Sequence, residues 1–368
     1  MLNGRTKAFY DRQFFTDYEK DKAAKSVIKE GAGNSTSVQA AASAPAKISL
    51  RLHAGEAGRQ TKQRTASAEG PATVAGVTVS HPDRVLFPDQ GFTKLTLAQY
   101  YERVGPWLLP HLHDRPLTLV RCPEGYNKDC FYQKHATDGV PDTIGRVEIL
   151  EEHGVSCYMV ADSLPAVIGL VQMGVLELHT WGAKRNRLDR PDRIIMDLDP
   201  DPTVPWKDVI EAAQLVRTLL NELELACFVK TTGGKGLHVV LPLRPVHTWE
   251  EVKAFSKGLA DHLERLIPDR FIATMSKHKR KGKIYVDYLR NAKGATAIAA
   301  YSTRARAGAP VSVPLAWEEL SVDIRSNHFT MDNVVERLSG LKQDPWREYC
   351  AVKQKLTQKM NTLLNVSS

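Results

Sequence analysis

The sequence predicts an α/β protein, because strand patterns alternate along the chain with amphipathic helical patterns. An apolar strand over residues 193–199 precedes a helical repeat that begins after Pro205 and continues to Leu225. A strand pair over residues 227–243 then encloses a glycine-rich turn, and a Thr-x-x-Glu capping box at Thr248 opens a further helix. This succession predicts sheets covered by helices.

The composition is that of a soluble globular protein, with 42% hydrophobic and 25% charged residues among 368. No apolar run reaches the roughly 18 residues that a membrane span needs, and no apolar signal core follows the N-terminus. We therefore expect a cytoplasmic protein with no membrane partner. The formal net charge of +8 favours a polyanionic partner.

Weaker patterns define the other elements and argue against two kinds of covalent or metal framework. The five cysteines are odd in number and form no C-x-x-C pair, which argues against structural zinc and against a disulfide framework. The other predicted elements are a helix capped by Thr96 that continues to Leu109, an apolar helix from Leu164 to Leu176, a strand over residues 115–121, and two strands over 271–275 and 283–287 that form a hairpin around a basic tip.

Two carboxylates one residue apart stand at the end of the strand over residues 193–199. In an extended strand, side chains at i and i+2 point to the same face, so Asp197 and Asp199 project side by side. Like charges at that range repel, and a hard cation such as Mg²⁺ or Mn²⁺ between them relieves the repulsion. The alternative is that both aspartates cap the loop before the next helix. A third carboxylate at a strand end, Asp287, favours the metal site.

A glycine-rich basic turn over residues 231–238 adds what a nucleotide site needs besides metal ligands. Glycines at positions 233, 234 and 236 let the backbone approach phosphate groups closely. Together with the three carboxylates, this turn is typical of two-metal phosphoryl or nucleotidyl transfer. The predicted donors and positive charges for the phosphates are Lys235, His238, Arg280 and Arg304.

Two other phosphate chemistries begin with similar motifs. The turn lacks the Gly-Lys-Ser/Thr ending and the five-residue lead of a P-loop, which argues against a Walker-type NTPase. A phosphatase with an aspartyl nucleophile also begins with an apolar strand and Asp-x-Asp. Such enzymes usually carry Thr or Val two residues after the second Asp, where this chain has Asp201.

Two adjacent aromatic residues, Phe131 and Tyr132, occur in a polar neighbourhood beside Lys134. Aromatic rings near basic residues are typical platforms on which nucleic-acid bases stack. The alternative is that both rings pack in the core.

From about Val77 to Trp346, the chain resembles the polymerase domain of bacterial DNA ligase D. That domain is a member of the archaeo-eukaryotic primase superfamily and serves non-homologous end joining. The resemblance implies an archaeo-eukaryotic primase-like fold, in which two antiparallel or mixed sheets are flanked by helices and the active site lies between them. The motifs that carry it are Asp197-Leu198-Asp199-Pro200, the turn from Thr232 to His238 and Val286-Asp287-Tyr288, with further matches at residues 84–88, Arg115-Pro116 and 301–306.

The resemblance implies a template-directed polymerase that adds nucleotides, preferably ribonucleotides, at DNA gaps and broken ends. Its implied cofactors are two divalent ions, Mn²⁺ or Mg²⁺, and its substrates are NTPs or dNTPs. Gapped DNA with a 5′-phosphate, Ku and a DNA ligase are the implied partners, and the location is the nucleoid. The implied metal ligands and catalytic residues are Asp197, Asp199 and Asp287; the nucleotide-binding residues are Thr232, Gly234, Lys235, His238, Arg280 and Arg304; the residues that bind DNA or its 5′-phosphate are His81, Arg84, Lys94, Arg121, Phe131 and Tyr132. Arg290 adds a charge near the metal site where relatives carry a neutral residue.

The same resemblance divides the chain into four segments. Residues 1–30 resemble the end of a ligase domain, residues 31–73 have the composition of a flexible basic linker, residues 74–346 form the primase-polymerase domain, and residues 347–368 are a helical tail. The sequence contains no Lys-x-Asp-Gly nucleotidyl-lysine motif, so we expect no ligase activity in this chain.

A second hypothesis belongs to a different class of function. The chain would be a DNA-end-binding module that bridges breaks, with weak or lost polymerase activity. The three carboxylates argue against it, because a binding module gains nothing from burying like charges together.

Overall fold

The computed structural model describes residues 72–366, so the segment 1–30 and almost all of the predicted linker lie outside the described residues. The strands are β1 (Ala72–Val74), β2 (Val77–Val79), β3 (Val85–Phe87), β4 (Phe92–Thr93), β5 (Leu117–Arg121), β6 (Phe131–Gln133), β7 (Gly145–Glu151), β8 (Gly154–Val160), β9 (Val175–Trp181), β10 (Arg193–Pro200), β11 (Phe228–Thr231), β12 (Leu237–Pro242), β13 (Phe271–Ile272), β14 (Ile284–Asp287), β15 (Thr296–Ile298) and β16 (Pro314–Leu315). The α-helices are α1 (Lys94–Leu112), α2 (Leu164–Gln172), α3 (Trp206–Glu222), α4 (Trp249–Leu266), α5 (Val334–Gly340) and α6 (Gln358–Leu363).

Two sheets form the framework of the described chain. A six-stranded mixed sheet has the order β13-β14-β10-β12-β11-β16, in which β13 and β14 are parallel and the other pairs are antiparallel. An antiparallel four-stranded sheet has the order β15-β9-β5-β6. Three further strand pairs, β1-β2, β3-β4 and β7-β8, stand apart from them. The predicted arrangement of two antiparallel or mixed sheets flanked by helices is confirmed.

Helices cover both sheets. Their apolar residues repeat at helical spacing, as predicted from the sequence, so each helix has one apolar face that packs against the rest of the protein. Helices α3 and α4 pack on the six-stranded sheet, and α4 begins at the predicted capping box, where Thr248 and Glu251 exchange side-chain to backbone hydrogen bonds. Helices α1 and α2 pack on each other, and α2 contacts β9. The main core joins α1 and α2 to the four-stranded sheet, with Tyr100 and Tyr101 fully buried.

Two predicted helix boundaries were wrong for identifiable reasons. Thr93, not Thr96, caps α1, because the Thr96 hydroxyl instead accepts from the Thr93 amide in the reciprocal bond of a capping box. The apolar run from Leu164 was predicted to be one helix to Leu176, but α2 ends at Gln172 and Val175 begins β9, since Gly174 adopts a positive φ of 80°. Apolar content alone does not separate a buried helix from a buried strand.

The predicted hairpin around residues 276–282 was also wrong, and the predicted helical tail over 347–368 is helical in part of its described residues. Strands β13 and β14 pair in parallel, so the basic segment between them, which includes a 3₁₀ turn at Lys277–Arg280, is a crossover connection. In the tail, α6 is the helical part of the described residues after Trp346. Earlier in the tail, a single side chain makes a contact of its own: the Tyr349 ring stacks on the Trp346 ring at a centroid distance of 4.9 Å.

A disulfide joins Cys122 and Cys130, contrary to the expectation from cysteine spacing. Arg121 at the end of β5 pairs with Phe131 at the start of β6, so the residues next to them are brought to a Cα separation of 4.4 Å. Sequence spacing does not indicate this pairing, because the two strands meet only in the folded sheet.

Among the described residues, no helix is both long enough and apolar enough to cross a membrane.

Candidate active site

Three carboxylates meet on adjacent strands of the six-stranded sheet. Asp197 on β10 lies opposite Asp287 on β14 in the antiparallel register, and Asp199 follows two residues along β10 on the same face. The side chains of Asp197 and Asp287 are each 14% exposed, whereas that of Asp199 is 48% exposed. The pKa of Asp199 is raised, first by burial and then by repulsion from the charge of Asp197.

The Arg290 guanidinium lies between two of these carboxylates. Its Nε is 3.2 Å from Oδ2 of Asp197 and 3.3 Å from Oδ2 of Asp287. Burial alone would raise the pKa of Asp197, but the neighbouring His238 and the charge and hydrogen bond of Arg290 hold it well below its usual range. A position that attracts a guanidinium between two carboxylate oxygens is also suited to a hard divalent cation, which prefers oxygen ligands.

A second group of possible metal ligands lies elsewhere in the described chain. The ligand atoms of His113, Asp114 and Asp162 lie within 4.8 Å of one another. Arg185, however, pairs with Asp114 at 2.8 Å and with Asp162 at 3.0 Å, so both carboxylates already have a cationic partner. This cluster is separate from the predicted metal site, whose carboxylates lie on β10 and β14.

The glycine-rich turn between β11 and β12 is shaped by two close approaches. Position 236 has no room for a side chain, because a Cβ on Gly236 would lie 1.8 Å from the carbonyl oxygen of Leu198 on β10. Gly233 has a positive φ of 64°, and a Cβ on it would lie 2.8 Å from Cγ of Arg304. The turn is thereby held against both the carboxylate strand and Arg304, and Lys235 at its tip is exposed.

Thr232 and His238 flank this turn and are both buried. The Thr232 hydroxyl donates to the carbonyl of Gly236 and accepts from the amide of Gly234, which fixes the turn. His238 Nε2 lies 3.4 Å from Oδ1 of Asp197, and burial lowers its pKa to about 4. The imidazole is therefore neutral at pH 7, and its Nδ1 has no hydrogen-bond partner among the described residues.

The basic residues predicted for the phosphates stand around the carboxylates. Arg280 lies 3.7 Å from Oδ2 of Asp199, and its guanidinium carbon is 3.5 Å from the centre of the Tyr285 ring. Arg304 NH1 donates to the carbonyl of Thr232 at 2.8 Å. These groups and the carboxylates together line an open cleft of about 370 Å³, to which both sheets contribute residues.

Every residue predicted for the metals and the nucleotide lines this cleft, and the structure adds others. Sequence reasoning missed His179 on β9, whose side chain is 15% exposed and faces the cleft from the four-stranded sheet. The signal available was Glu177-Leu178-His179, which places two polar side chains on one face of a mostly apolar strand. Tyr285 was missed as well, and it stacks under Arg280.

The residues predicted for the 5′-phosphate lie close together near the start of α1. The amide of Arg84 donates to the carbonyl of His81, and the amide of Lys94 donates to the carbonyl of Arg84. The His81 and Arg84 side chains are exposed, but Lys94 is 4% exposed and its ammonium donates to the carbonyl of Ser80 at 3.0 Å. Burial lowers the pKa of Lys94. Phosphate binding by this group stays a prediction.

A second cleft of about 310 Å³ contains the predicted aromatic platform. Phe131 is 47% exposed and Tyr132 is 75% exposed, so the core-packing alternative is wrong. The Arg121 guanidinium lies 5.2 Å from the centre of the Phe131 ring and also bonds the Met173 carbonyl, which supports the ring from one side. Arg304 lines both clefts, so they adjoin one another.

Comparisons with known proteins agree with this geometry. The model of the LigD primase-polymerase domain family matches residues 93–346. The chain belongs to the LigD primase-polymerase family. The resemblance drawn from the sequence is thus confirmed.

Two curated LigD relatives and one solved structure show how far the likeness extends. The multifunctional non-homologous end joining protein LigD of Pseudomonas aeruginosa is 44% identical over 307 residues, which cover 83% of this chain and 36% of that protein. LigD of Mycolicibacterium smegmatis is 31% identical over 264 residues, covering 71% of this chain and 34% of that protein. The polymerase domain of Mycobacterium tuberculosis ligase D, solved in complex with DNA, matches with a TM-score of 0.70 and 30% identity over 75% of this chain and 98% of that one. The chain therefore spans about a third of the length of these LigD relatives, and the primase-like fold is confirmed.

Proposed function

We propose that this chain is a template-directed primase-polymerase that adds nucleotides at gaps and double-strand-break ends in DNA during non-homologous end joining. The observation that carries the proposal is the meeting of Asp197, Asp199 and Asp287 on one sheet face, in a cleft that basic groups and a glycine-rich turn also line. Carboxylates for metal ions, together with donors and positive charge for the phosphates, are the parts that nucleotidyl transfer requires.

The metal ligands in this proposal are the three carboxylates. Two divalent ions, Mn²⁺ or Mg²⁺, would there lower the pKa of the attacking hydroxyl and stabilise the leaving pyrophosphate. Arg290, which lies between Asp197 and Asp287, would have to move aside when a cation binds both. Membership in a primase-polymerase family supports nucleotidyl transfer as the reaction class.

The protein groups position the substrates on either side of the carboxylates. Lys235, Arg280 and Arg304 supply positive charge for the triphosphate, and the neutral His238 offers a hydrogen bond. The exposed Phe131 and Tyr132 rings supply stacking surface for a template or substrate base. His81, Arg84 and Lys94 form the proposed contact to the 5′-phosphate across the gap, and ribonucleotides are the proposed preferred substrates. Ku and a DNA ligase are the proposed protein partners.

The test is incorporation of labelled nucleotide by the purified chain on a gapped duplex with Mn²⁺. Matched duplexes carry a 5′-phosphate or a 5′-hydroxyl at the gap, and each is supplied with rNTPs or dNTPs. We expect template-matched addition that is faster with the 5′-phosphate and with rNTPs. Tight binding to the phosphorylated end without any addition would instead support the end-bridging module.

Replacing Tyr132 by Ala should weaken binding of the gapped duplex or the nucleotide without affecting folding. Stacking on an aromatic ring contributes about 1–3 kcal/mol per base, whereas a surface substitution changes stability by no more than about 0.5 kcal/mol. Fluorescence anisotropy with labelled DNA measures the first effect and thermal unfolding the second. Tyr132→Phe keeps the ring and is the matched control, so equal losses in both variants would contradict stacking.

A further inference from the structure

A buried carboxylate outside the metal cluster joins two residues of the main cleft. Glu177 on β9 is 5% exposed, and its Oε2 lies 2.8 Å from Nε2 of His179 and 3.1 Å from Nε of Arg304. Its Oε1 accepts a hydrogen bond from the backbone amide of Ala305 at 2.9 Å. Glu177 thus contacts both His179 and Arg304, which line the main cleft, and itself lines the second cleft instead.

The fold brings these groups together from three separate elements. Glu177 and His179 share a face of β9 because they are two residues apart in a strand. Arg304 follows β15 and also donates to the carbonyl of Thr232 at the start of the glycine-rich turn, so one guanidinium connects Glu177 to the turn. A change in the Glu177 carboxylate therefore affects the position of His179 and, through Arg304, the contact with the glycine-rich turn.

The carboxylate is charged at neutral pH. Burial would raise the pKa of Glu177, but the hydrogen bond from His179 and the charge of Arg304 lower it to about 2. Glu177 forms an ion pair with the Arg304 guanidinium and accepts a hydrogen bond from His179, and these charged contacts restrict the orientation of both side chains.

We propose that Glu177 is a positioning residue that orients the Arg304 guanidinium and the His179 imidazole toward the incoming triphosphate. This inference rests on the function proposed above. An arginine held in its binding orientation loses little further freedom when the ligand arrives, whereas an unrestrained one must be ordered at that moment. Glu177 therefore influences the affinity for the triphosphate through Arg304 and His179.

The test is the dissociation constant for ATP with Mn²⁺, measured by calorimetry on the whole chain. Glu177→Gln keeps the shape and removes the charge, and we expect binding to weaken about 10- to 100-fold, the size of effect that accompanies loss of one contact to a charged group. Glu319 is the matched control, because it pairs with Arg337 at 2.5 Å and accepts from the Ala316 amide at 2.7 Å yet lines neither cleft. Glu319→Gln should leave ATP binding unchanged.

A double-mutant cycle separates positioning from a general structural role. If Glu177 acts through Arg304, the variant Glu177→Gln/Arg304→Ala should bind ATP about as weakly as Arg304→Ala alone, because contacting residues couple. Additive losses, or an unchanged affinity in Glu177→Gln, would overturn the inference while leaving the proposed function standing. No binding of ATP by the wild type would overturn both. Should Glu177→Gln fail to fold, Glu177→Asp is compared instead, and wild-type affinity in that variant overturns the inference.

Discussion

Asp199→Asn should reduce nucleotide addition on a gapped duplex by on the order of 100-fold or more, because metal stabilisation of transition-state charge contributes several kcal/mol. Asp199 is the best carboxylate to change, since its side chain is 48% exposed and its nearest cation, Arg280, is 3.7 Å away. Asp197 by contrast is in contact with both His238 and Arg290, so its replacement would disturb the framework as well. Single-turnover incorporation with Mn²⁺ measures the effect.

Asp201 provides the matched control for this variant. It lies two residues further along, where its carboxylate accepts from the amide and the hydroxyl of Thr203. Asp201→Asn keeps an acceptor there and should retain the wild-type rate. DNA binding should be largely intact in Asp199→Asn. Wild-type incorporation by this variant would show that the metal site has been assigned to the wrong residues.

Asp192→Ala should lower the free energy of unfolding by about 3–5 kcal/mol, the usual cost of removing one partner from a buried ion pair. Asp192 receives both terminal nitrogens of Arg115, at 2.8 and 2.7 Å, and the Arg115 side chain is 6% exposed. Arg115 precedes β5 of the four-stranded sheet and Asp192 precedes β10 of the six-stranded sheet, so this pair ties the two sheets together. Denaturant unfolding at pH 7 measures the loss.

The pH dependence of that loss provides a second check. Burial would raise the pKa of Asp192, but the charge of Arg115 and its hydrogen bonds lower it below the ordinary value of 3.8. A depressed folded-state pKa means that the pair stabilises the protein above about pH 3.8 and that this stabilisation is lost as pH falls further. The difference between wild type and Asp192→Ala should therefore shrink below that pH.

Asp189 provides the control for this pair. Its carboxylate lies 2.6 Å from the ammonium of Lys293, but the two side chains are 78% and 47% exposed. Exposed ion pairs contribute about 0–1 kcal/mol, so Asp189→Ala should change stability little. Equal losses in Asp189→Ala and Asp192→Ala would contradict a special role for the buried pair.

Local patterns predicted much of the fold because they depend on neighbouring residues. Helices α3 and α4 follow from apolar repeats and a capping box, and the i, i+2 spacing placed Asp197 and Asp199 on one face. The predicted hairpin over 276–282 failed for the opposite reason: whether β13 and β14 run parallel depends on how the chain crosses the sheet. The disulfide between Cys122 and Cys130 was missed because only the pairing of β5 with β6 brings the cysteines together.

The sequence by itself determined the chemistry of the cleft: the carboxylates, the glycine-rich turn and the basic donors, together with the family that combines them. Only the tertiary structure decided their arrangement, since strand register placed Asp287 opposite Asp197 across some 90 residues of chain. It also placed Arg290 between those carboxylates, exposed Phe131, buried Lys94 and joined Glu177 to Arg304. Residue types and short spacings can be obtained from the sequence alone, whereas contacts between distant segments form only when the strands pair and the sheets pack.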